Sequence, residues 1–425
     1  MNQREVIREL SDDLVALQRP IRVLDAVAWG DEVAAQSFAA GASAQPLVTA
    51  DYYKDQRPLR FEPSEVRAGF HDLEARVKRR LGGSVVGGML VGRAVEYRRV
   101  IDLLEARGTP EFTRISTELY GGATDEIHPG GPTLSSLGHG LSEALANIAG
   151  GDWEPPEDQT YSALDAVAVL QERLSGLFGS DDDAVRVMLD DGIVADAAAG
   201  ADYIKLREDV RFSHRDLRVL EVHEGWVHVS TSLNGRQQPW CTFLGKGTPS
   251  TTSTQEGLAV FTEVTTLSST PNRLRKITRR MTAISMAEHG ATFLDVFRWF
   301  VDQGLDFNAA WSSSVRVFRG STPADGPFTK DLVYSRGFIE VYNVIRLAVR
   351  RGLLDRLPLL FVGKLAIRDL GMLAQLYDEG LVSGPTYLPP QVADLSALAA
   401  WMAYSNLLNG LDLETVEAEL DGVLF

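Results

Sequence analysis

The spacing of hydrophobic positions divides the chain into a helical first part and a mixed second part. Apolar residues recur every three or four positions over residues 4–18 and 63–80, which is the spacing of one face of an α-helix. Gly, Pro and Asp interrupt this pattern over residues 121–156, as expected for loops. We therefore predict a mainly helical N-terminal scaffold over residues 1–160 and a second domain over residues 161–425.

The second part begins with short β-prone runs between residues 185 and 207, broken by Asp and Gly, which is typical of a small antiparallel sheet. A helix is predicted directly after them over residues 216–233, with Ser213 as its N-cap and Asn234-Gly235 as its end. The predicted fold class is α+β, predominantly helical. The remaining predicted elements are helices starting at Gln255, Pro271 and Thr292, helices over 331–351 and 359–377, and a short strand over 316–318.

Composition excludes several classes of function. A net charge of −16 argues against a nucleic-acid partner, because phosphate binding depends on Lys and Arg. No apolar run approaches the ~20 residues needed to span a membrane, and the N-terminus lacks the apolar core of a signal peptide, so a cytoplasmic protein is expected. Cys241 is the only cysteine, so any metal must be held by His and carboxylate groups. The oligomeric state is not indicated.

One motif carries chemistry. Residues 221–230 read EVHEGWVHVS, an H-E-x-x-x-H. Two positions five apart on a regular helix are separated by about 140° around its axis, so His223 and His228 could not bind one metal there. A single-turn π-bulge between them would restore a shared face, and such bulges occur mainly at functional sites. The alternative is a regular helix with two surface histidines.

A catalytic zinc site needs a third protein ligand and leaves one position open. The segment STQEGLAVFTE offers Glu256 and Glu263, and either could reach the metal while the other supports a ligating imidazole. Glu224, beside the first histidine, is suited to act as general base on water activated by the metal. The residues therefore predict one Zn²⁺ per chain.

Residues 255–259 spell QEGLA, and with HEGWVH, VRVFRG and FTKDLVYSRG they resemble the QEGLA-motif proteins described as modulators of flavohaemoglobin expression. The same family includes the microtubule-associated tyrosine carboxypeptidases. The resemblance implies a gluzincin-like zinc metallopeptidase domain over residues 161–425 that removes a C-terminal residue, Tyr or another large one. It implies His223, His228 and Glu256 as metal ligands and Glu224 as the catalytic glutamate, with Glu263 as a supporting group or a helix-face residue.

Substrate recognition is predicted from the same motifs. A terminal carboxylate is best bound by the guanidinium of Arg, and Arg316, Arg319 and Arg336 are the candidates. Tyr334 or Lys330 could stabilise the oxyanion of the reaction. The alternative for each is a structural salt bridge or cap. Strand 203–206 could bind an extended peptide by strand addition, or be an interior strand.

Two functions remain open from the sequence. The first is a zinc metallocarboxypeptidase acting on the C-terminus of a peptide or protein. The second is a non-catalytic metal-binding regulatory or maturation protein that affects flavohaemoglobin expression indirectly. The overall negative charge would repel an acidic polypeptide such as a tubulin tail. The basic run RLRKITRR at 273–280 is expected to be a solvated helix face.

Overall fold

The computed structural model describes residues 2–39, 41–148, 158–179, 185–191, 196–412, 415–416 and 419. This part of the chain is mostly helical, which confirms the predicted fold class. Its α-helices are α1 (Gln3–Gln18), α2 (Val23–Val27), α3 (Asp31–Ala39), α4 (Ala50–Gln56), α5 (Pro63–Leu81), α6 (Val85–Glu105), α7 (Pro110–Tyr120), α8 (Leu134–Asn147), α9 (Ala163–Phe178), α10 (His214–Leu220), α11 (Ser230–Arg236), α12 (Pro249–Thr265), α13 (Pro271–Glu288), α14 (Phe293–Asp302), α15 (Phe307–Phe318), α16 (Val333–Arg351), α17 (Leu370–Asp378), α18 (Pro390–Ala393) and α19 (Leu395–Leu408).

Shorter elements join these helices. A π-helical segment, Glu221–Val229, links α10 to α11 without a break. The 3₁₀ segments are Thr242–Gly245, Thr329–Leu332, Leu354–Phe361 and Ile367–Asp369, and the strands are β1 (Arg186–Asp190), β2 (Ala197–Ala199) and β3 (Tyr203–Arg207).

The small sheet lies beside the π-helical segment, as predicted, but it is mixed rather than antiparallel. Its strand order is β1-β3-β2. Strand β2 pairs with β3 in antiparallel fashion, whereas β1 pairs with β3 in parallel, with Arg186 opposite Tyr203. The prediction failed because pairing between β1 and β3 is not a local property of the sequence. Strand β3 is interior, so it is closed to strand addition, and β1 and β2 form the two edges of the sheet.

Helix ends follow from local capping. Ser213 caps α10, and its side chain accepts a hydrogen bond from the Asp216 amide while Asp216 bonds back, as predicted. The predicted end at Asn234-Gly235 is wrong. The Asn234 amide donates to the carbonyls of Phe361 and Tyr387, both at 2.8 Å, so this residue is a buried tether within α11.

Other predicted elements also differ from the structure. Residues 316–318 are the last turn of α15 and not a strand. Helix α12 begins at Pro249, six residues before the predicted start, because proline suits the first turn of a helix. The helix predicted over 359–377 is instead the end of a 3₁₀ segment followed, after a break, by α17.

The hydrophobic core links the N-terminal helices to the segments that carry the motifs. One buried cluster contains Leu10 of α1, Leu90 of α6, Val227 of the π-helical segment and Leu258 of α12. The domain boundary near residue 160 stays a prediction, and residues 149–157 lie outside the described part. Among the described residues, no helix is long and apolar enough to cross a membrane.

Candidate metal centre

The π-helical segment confirms the predicted departure from a regular helix, over nine residues. At its end the Ser230 amide donates to the carbonyl of Gly225, five residues earlier. The added residue brings the rings of His223 and His228 to one side, with centroids 4.8 Å apart and planes at 83°. His223 is only 4% exposed and His228 is partly buried, so the alternative prediction of two surface histidines on a regular helix is wrong.

Neighbouring residues hold this segment in place. A Cβ atom at Gly225 would lie 2.3 Å from a methyl carbon of Leu174, so α9 packs directly against the glycine backbone. Glu221 at the start of the segment accepts from Arg218 at 2.9 Å and from Arg173 at 3.4 Å. The unusual helix is therefore supported by close packing and by a partly buried ion pair.

Helix α12 brings the third candidate ligand to the histidines. It crosses α16 at Gly257 and Gly337, where a Cβ atom on Gly257 would lie 2.2 Å from the Gly337 backbone. The glycine of QEGLA is thus needed for the close approach of two helices. With α12 in this position, Glu256 Oε2 lies 3.2 Å from His223 Nε2 and 3.4 Å from His228 Nε2.

One potential ligand atom from each of His223, His228 and Glu256 lies within 4.8 Å of the other two, so the three side chains can hold one metal ion. The negative charge of Glu256 and the positive charge of the protonated histidines stabilise each other. Burial opposes ionisation of Glu256, but His228 and His223 outweigh it and hold the pKa of Glu256 well below its usual range. Burial likewise opposes protonation of His223, yet hydrogen bonds to Glu256 and Glu263 raise the pKa of His223 to about 9.

Glu263, two turns after Glu256, supports the other nitrogen of His223. Its Oε1 lies 2.6 Å from His223 Nδ1, and its side chain is fully buried. Arg273 of α13 donates to both of its oxygens, at 2.9 and 3.0 Å. Burial acts against the carboxylate, but Arg273 and His223 lower the pKa of Glu263 to about 2. A metal-facing imidazole oriented by a carboxylate is a common arrangement.

Glu224 is oriented by the edge strand β2. Its Oε2 accepts a hydrogen bond from the Ala199 amide at 3.0 Å. The bonds Gly200 N to Tyr203 O and Arg207 N to Asp196 O join even-numbered positions of this edge to β3. The main-chain groups of Ala197 and Ala199 therefore point away from β3 and toward the site.

A cation-rich cluster surrounds Asp331 near Tyr334. Asp331 Oδ2 accepts from Arg316 Nε at 2.8 Å, with Arg280 Nε at 3.8 Å and Arg319 Nη2 at 3.7 Å from its oxygens. Burial opposes the Asp331 carboxylate, but these arginines hold its pKa well below the usual range. Burial and the neighbouring Arg316 lower the pKa of Arg319 to about 10.

A cleft of about 680 Å³ opens over His223, Glu224 and Tyr334. Eight Arg or Lys and four Asp or Glu side chains line it. The cationic ones are Arg207, Arg211, Arg215, Arg273, Lys276, Arg279, Arg280 and Arg316, and the acidic ones are Asp196, Asp216, Glu224 and Asp306. The local charge is opposite to that of the whole chain, so the objection to an acidic substrate does not apply to the cleft.

A protein-family model described as microtubule-associated tyrosine carboxypeptidase matches residues 35–410. The chain belongs to this family. No functionally curated protein matches the sequence significantly. Among solved structures, the chain is similar to Trypanosoma cruzi metallocarboxypeptidase 1, with a TM-score of 0.41, 11% identity, and coverage of 92% of this chain and 95% of that one. The tyrosine carboxypeptidase family model alone carries the assignment.

The structure separates the sequence-predicted substrate-binding residues of this family member. Arg316 and Tyr334 line the cleft. Arg319 is buried beside Asp331, and Lys330 Nζ lies 4.0 Å from Glu256 Oε1, so both lie behind the cleft surface. Arg336 lines a separate crevice and donates to Asp125 at 2.7 Å, so its predicted role in substrate binding gains no support.

Sequence reasoning missed the cleft residues of α13. The expectation of a solvated face over residues 273–280 is confirmed for the exposed Lys276 and wrong for Arg273 and Arg280, which are partly buried. These three residues line the cleft. Their spacing of three and four residues puts them on one face of a helix, which was the available signal. Lys364 was also missed, although a lysine within the apolar run LPLLFVGKLA signals a buried cation. Burial lowers the pKa of Lys364 to about 7.

Proposed function

We propose that this chain is a zinc-dependent metallocarboxypeptidase that removes the C-terminal residue of a peptide or protein. The observation that carries the proposal is the convergence of His223, His228 and Glu256, with His223 and the neighbouring Glu224 lining a cleft. Two imidazoles and one carboxylate are a known catalytic zinc ligand set. Ligand atoms at tetrahedral zinc are about 3.3 Å apart, given bonds of about 2.0–2.1 Å. The separations of 3.2 and 3.4 Å from Glu256 fit this value.

Bound zinc would supply the Lewis acidity that activates water and polarises the scissile carbonyl. Glu224 would act as general base, taking a proton from the attacking water and delivering it to the leaving amine. The hydrogen bond from the Ala199 amide orients the Glu224 carboxylate for this task. Glu263 and Arg273 would keep His223 in the correct tautomer, with Nε2 directed to the metal.

Tyr334 is the proposed oxyanion donor. It lines the cleft, and its ring lies 6.2 Å from that of His223 with an interplanar angle of 27°. Burial and the nearby Glu256 raise the pKa of Tyr334 above its usual value, so the hydroxyl stays protonated and can donate. Lys330, predicted as the alternative, contacts Glu256 instead and suits the role of steadying that carboxylate.

The terminal carboxylate would be bound by Arg280 with Arg316. Both line the cleft beside Tyr334, and the Arg280 guanidinium lies 5.2 Å from the centre of the Tyr334 ring. Asp331 provides one negative charge for three arginines, so the cluster can accept a further anion. An enzyme that requires a free C-terminal carboxylate at this point acts as an exopeptidase and not as an endopeptidase.

The cleft also favours a class of substrate. Its excess of cationic side chains would attract an acidic peptide segment. The outward main-chain groups of Ala197 suit strand addition by an extended substrate, at β2 rather than at β3. We therefore propose an acidic C-terminal segment as substrate, and tyrosine, from the name of the family, as the first terminal residue to test.

Peptide cleavage tests this function. Peptides that differ in their terminal residue and in acidic content are incubated with native protein of measured metal content and with the Glu224→Gln variant. The native protein should release only the terminal residue, and the variant should lose activity by about 10²–10⁴-fold while retaining its metal. Glu379→Gln, an exposed substitution on the surface, is the matched control.

C-terminal amidation and Arg280→Leu test carboxylate recognition. Charge-assisted hydrogen bonds of about 1.5–3 kcal/mol predict that either change raises KM about 10- to 100-fold, whereas Arg356→Leu does not. Stoichiometric metal without cleavage of any peptide would instead favour the non-catalytic metal-binding protein. Absence of bound metal would refute both functions.

A further inference from the structure

Lys364 joins the two elements that carry the candidate metal ligands. Its ammonium donates to the backbone carbonyl of His228 at 2.9 Å, to Thr231 Oγ1 at 3.0 Å and to Gln255 Oε1 at 2.7 Å. A lysine has three N–H donors, and all three are used here. Two of these acceptors lie on the π-helical segment and α11, and the third lies on α12.

Two of the three acceptors belong to a candidate ligand or to the residue next to one. His228 is itself a candidate ligand, and Gln255 directly precedes Glu256 in QEGLA. Thr231 closes the group, because its hydroxyl donates to Gln255 Oε1 at 2.7 Å. One side chain thus fixes the backbone of a histidine ligand relative to the helix that carries the carboxylate ligand.

The position of the contact matters. His228 lies one residue before the end of the π-helical segment, where the helix returns to α-helical geometry at Ser230. The His228 carbonyl also accepts from Ser232 Oγ at 2.7 Å. Side-chain donors therefore concentrate on one carbonyl at the change of helix type, where small shifts would move the imidazole. A buried ammonium is costly and is tolerated when all its donors are satisfied.

We propose that Lys364 is a positioning residue for the metal centre, which holds His228 and Glu256 at the separation that one metal ion requires. This inference rests on the proposed function. Its consequence is specific: loss of Lys364 weakens metal binding and alters coordination geometry without unfolding the chain. Groups that orient metal ligands from behind typically contribute about 10- to 100-fold to affinity.

The test compares metal binding by the native protein, Lys364→Met and Lys246→Met. Lys246 is a partly buried lysine whose side chain lies outside the metal centre, so it controls for the loss of a half-buried cation. Zinc affinity is measured by competition with a chromophoric chelator, and cobalt(II) absorption reports coordination geometry. We expect Lys364→Met to bind zinc 10- to 100-fold more weakly and to shift the cobalt bands, with Lys246→Met unchanged.

If Lys364→Met does not fold, Thr231→Val provides a second test of the role of Lys364. It removes one acceptor of Lys364 and the hydroxyl that contacts Gln255, and it should weaken zinc binding by a smaller factor of about 3 to 10. Native zinc affinity and an unchanged cobalt spectrum in either folded variant would overturn the role of Lys364 alone. If the native protein binds neither metal, the proposed function fails first, and the two failures are distinguishable.

Discussion

The contact between Glu263 and Arg273 allows stability and metal binding to be changed separately. Glu263 is fully buried, and Arg273 donates to both of its oxygens. Glu263→Gln keeps the shape of the side chain but leaves the guanidinium without its counter-charge. Removing one member of a buried ion pair costs about 3–5 kcal/mol, because the remaining charge is desolvated and unpaired. We expect the free energy of unfolding of the metal-free protein to fall by that amount.

The double variant Glu263→Gln/Arg273→Met should recover most of this loss, because it leaves no unpaired buried charge. Metal affinity should not recover. In both variants His223 Nδ1 has lost its carboxylate partner at 2.6 Å, so zinc affinity should stay about 10- to 100-fold below that of the native protein.

Urea unfolding in the presence of a chelator gives the stability, and chelator competition on folded protein gives the affinity. The control is Glu379→Gln, which removes an exposed carboxylate outside the site. A double variant as unstable as the single one would show that the cost does not come from an unpaired Arg273. Zinc binding by either variant as tight as that of the native protein would refute the supporting role of Glu263.

Three further outcomes are expected. Tyr334→Phe should lower kcat about 10²–10³-fold with little change in KM, measured by steady-state cleavage, because an oxyanion donor acts mainly in the transition state. Asp331→Asn should destabilise the chain by about 3–5 kcal/mol at pH 7. The pKa of Asp331 is depressed in the folded protein, so the stability that its carboxylate contributes is present above the unfolded pKa of about 3.9 and is lost as the pH falls below it. The stabilities of the native protein and of Asp331→Asn should therefore converge in acid. Higher salt should lower kcat/KM for acidic peptides more than for neutral ones.

Local patterns predicted the parts of the site that depend on neighbouring residues. The five-residue spacing of His223 and His228 required a distorted helix, and the Ser213 cap determined where the helix starts. Alternation in VRVF suggested a strand, but α15 continues through it, since a short apolar run has no decisive period of its own. The parallel pairing of β1 with β3 has no local signal either.

The sequence did not predict which distant residues meet at the site through tertiary packing. Arg280 and Lys364 are distant in sequence from the motifs, and each contributes because a separate helix or loop packs against the site. Periodicity indicates which face of α13 is polar, but it does not indicate what that face opposes. The net charge of the chain did not predict the preference of the cleft for an acidic substrate, because it averages a basic cleft with an acidic exterior.

The π-helical segment has a consequence for any change in chain length at the motif. Deleting one residue between His223 and His228 would create the four-residue spacing of a regular helix and keep both rings on one face. It would also rotate α11 by about 100° relative to its surroundings. The four contacts of the Asn234 side chain would be lost, and Gly235, which lies against the backbone of Leu244, would be replaced there by a residue with a side chain. The contacts of α11 therefore require the extra residue in the motif. A shortened motif would be compatible with the fold only if the residues of α11 that make these contacts were also changed.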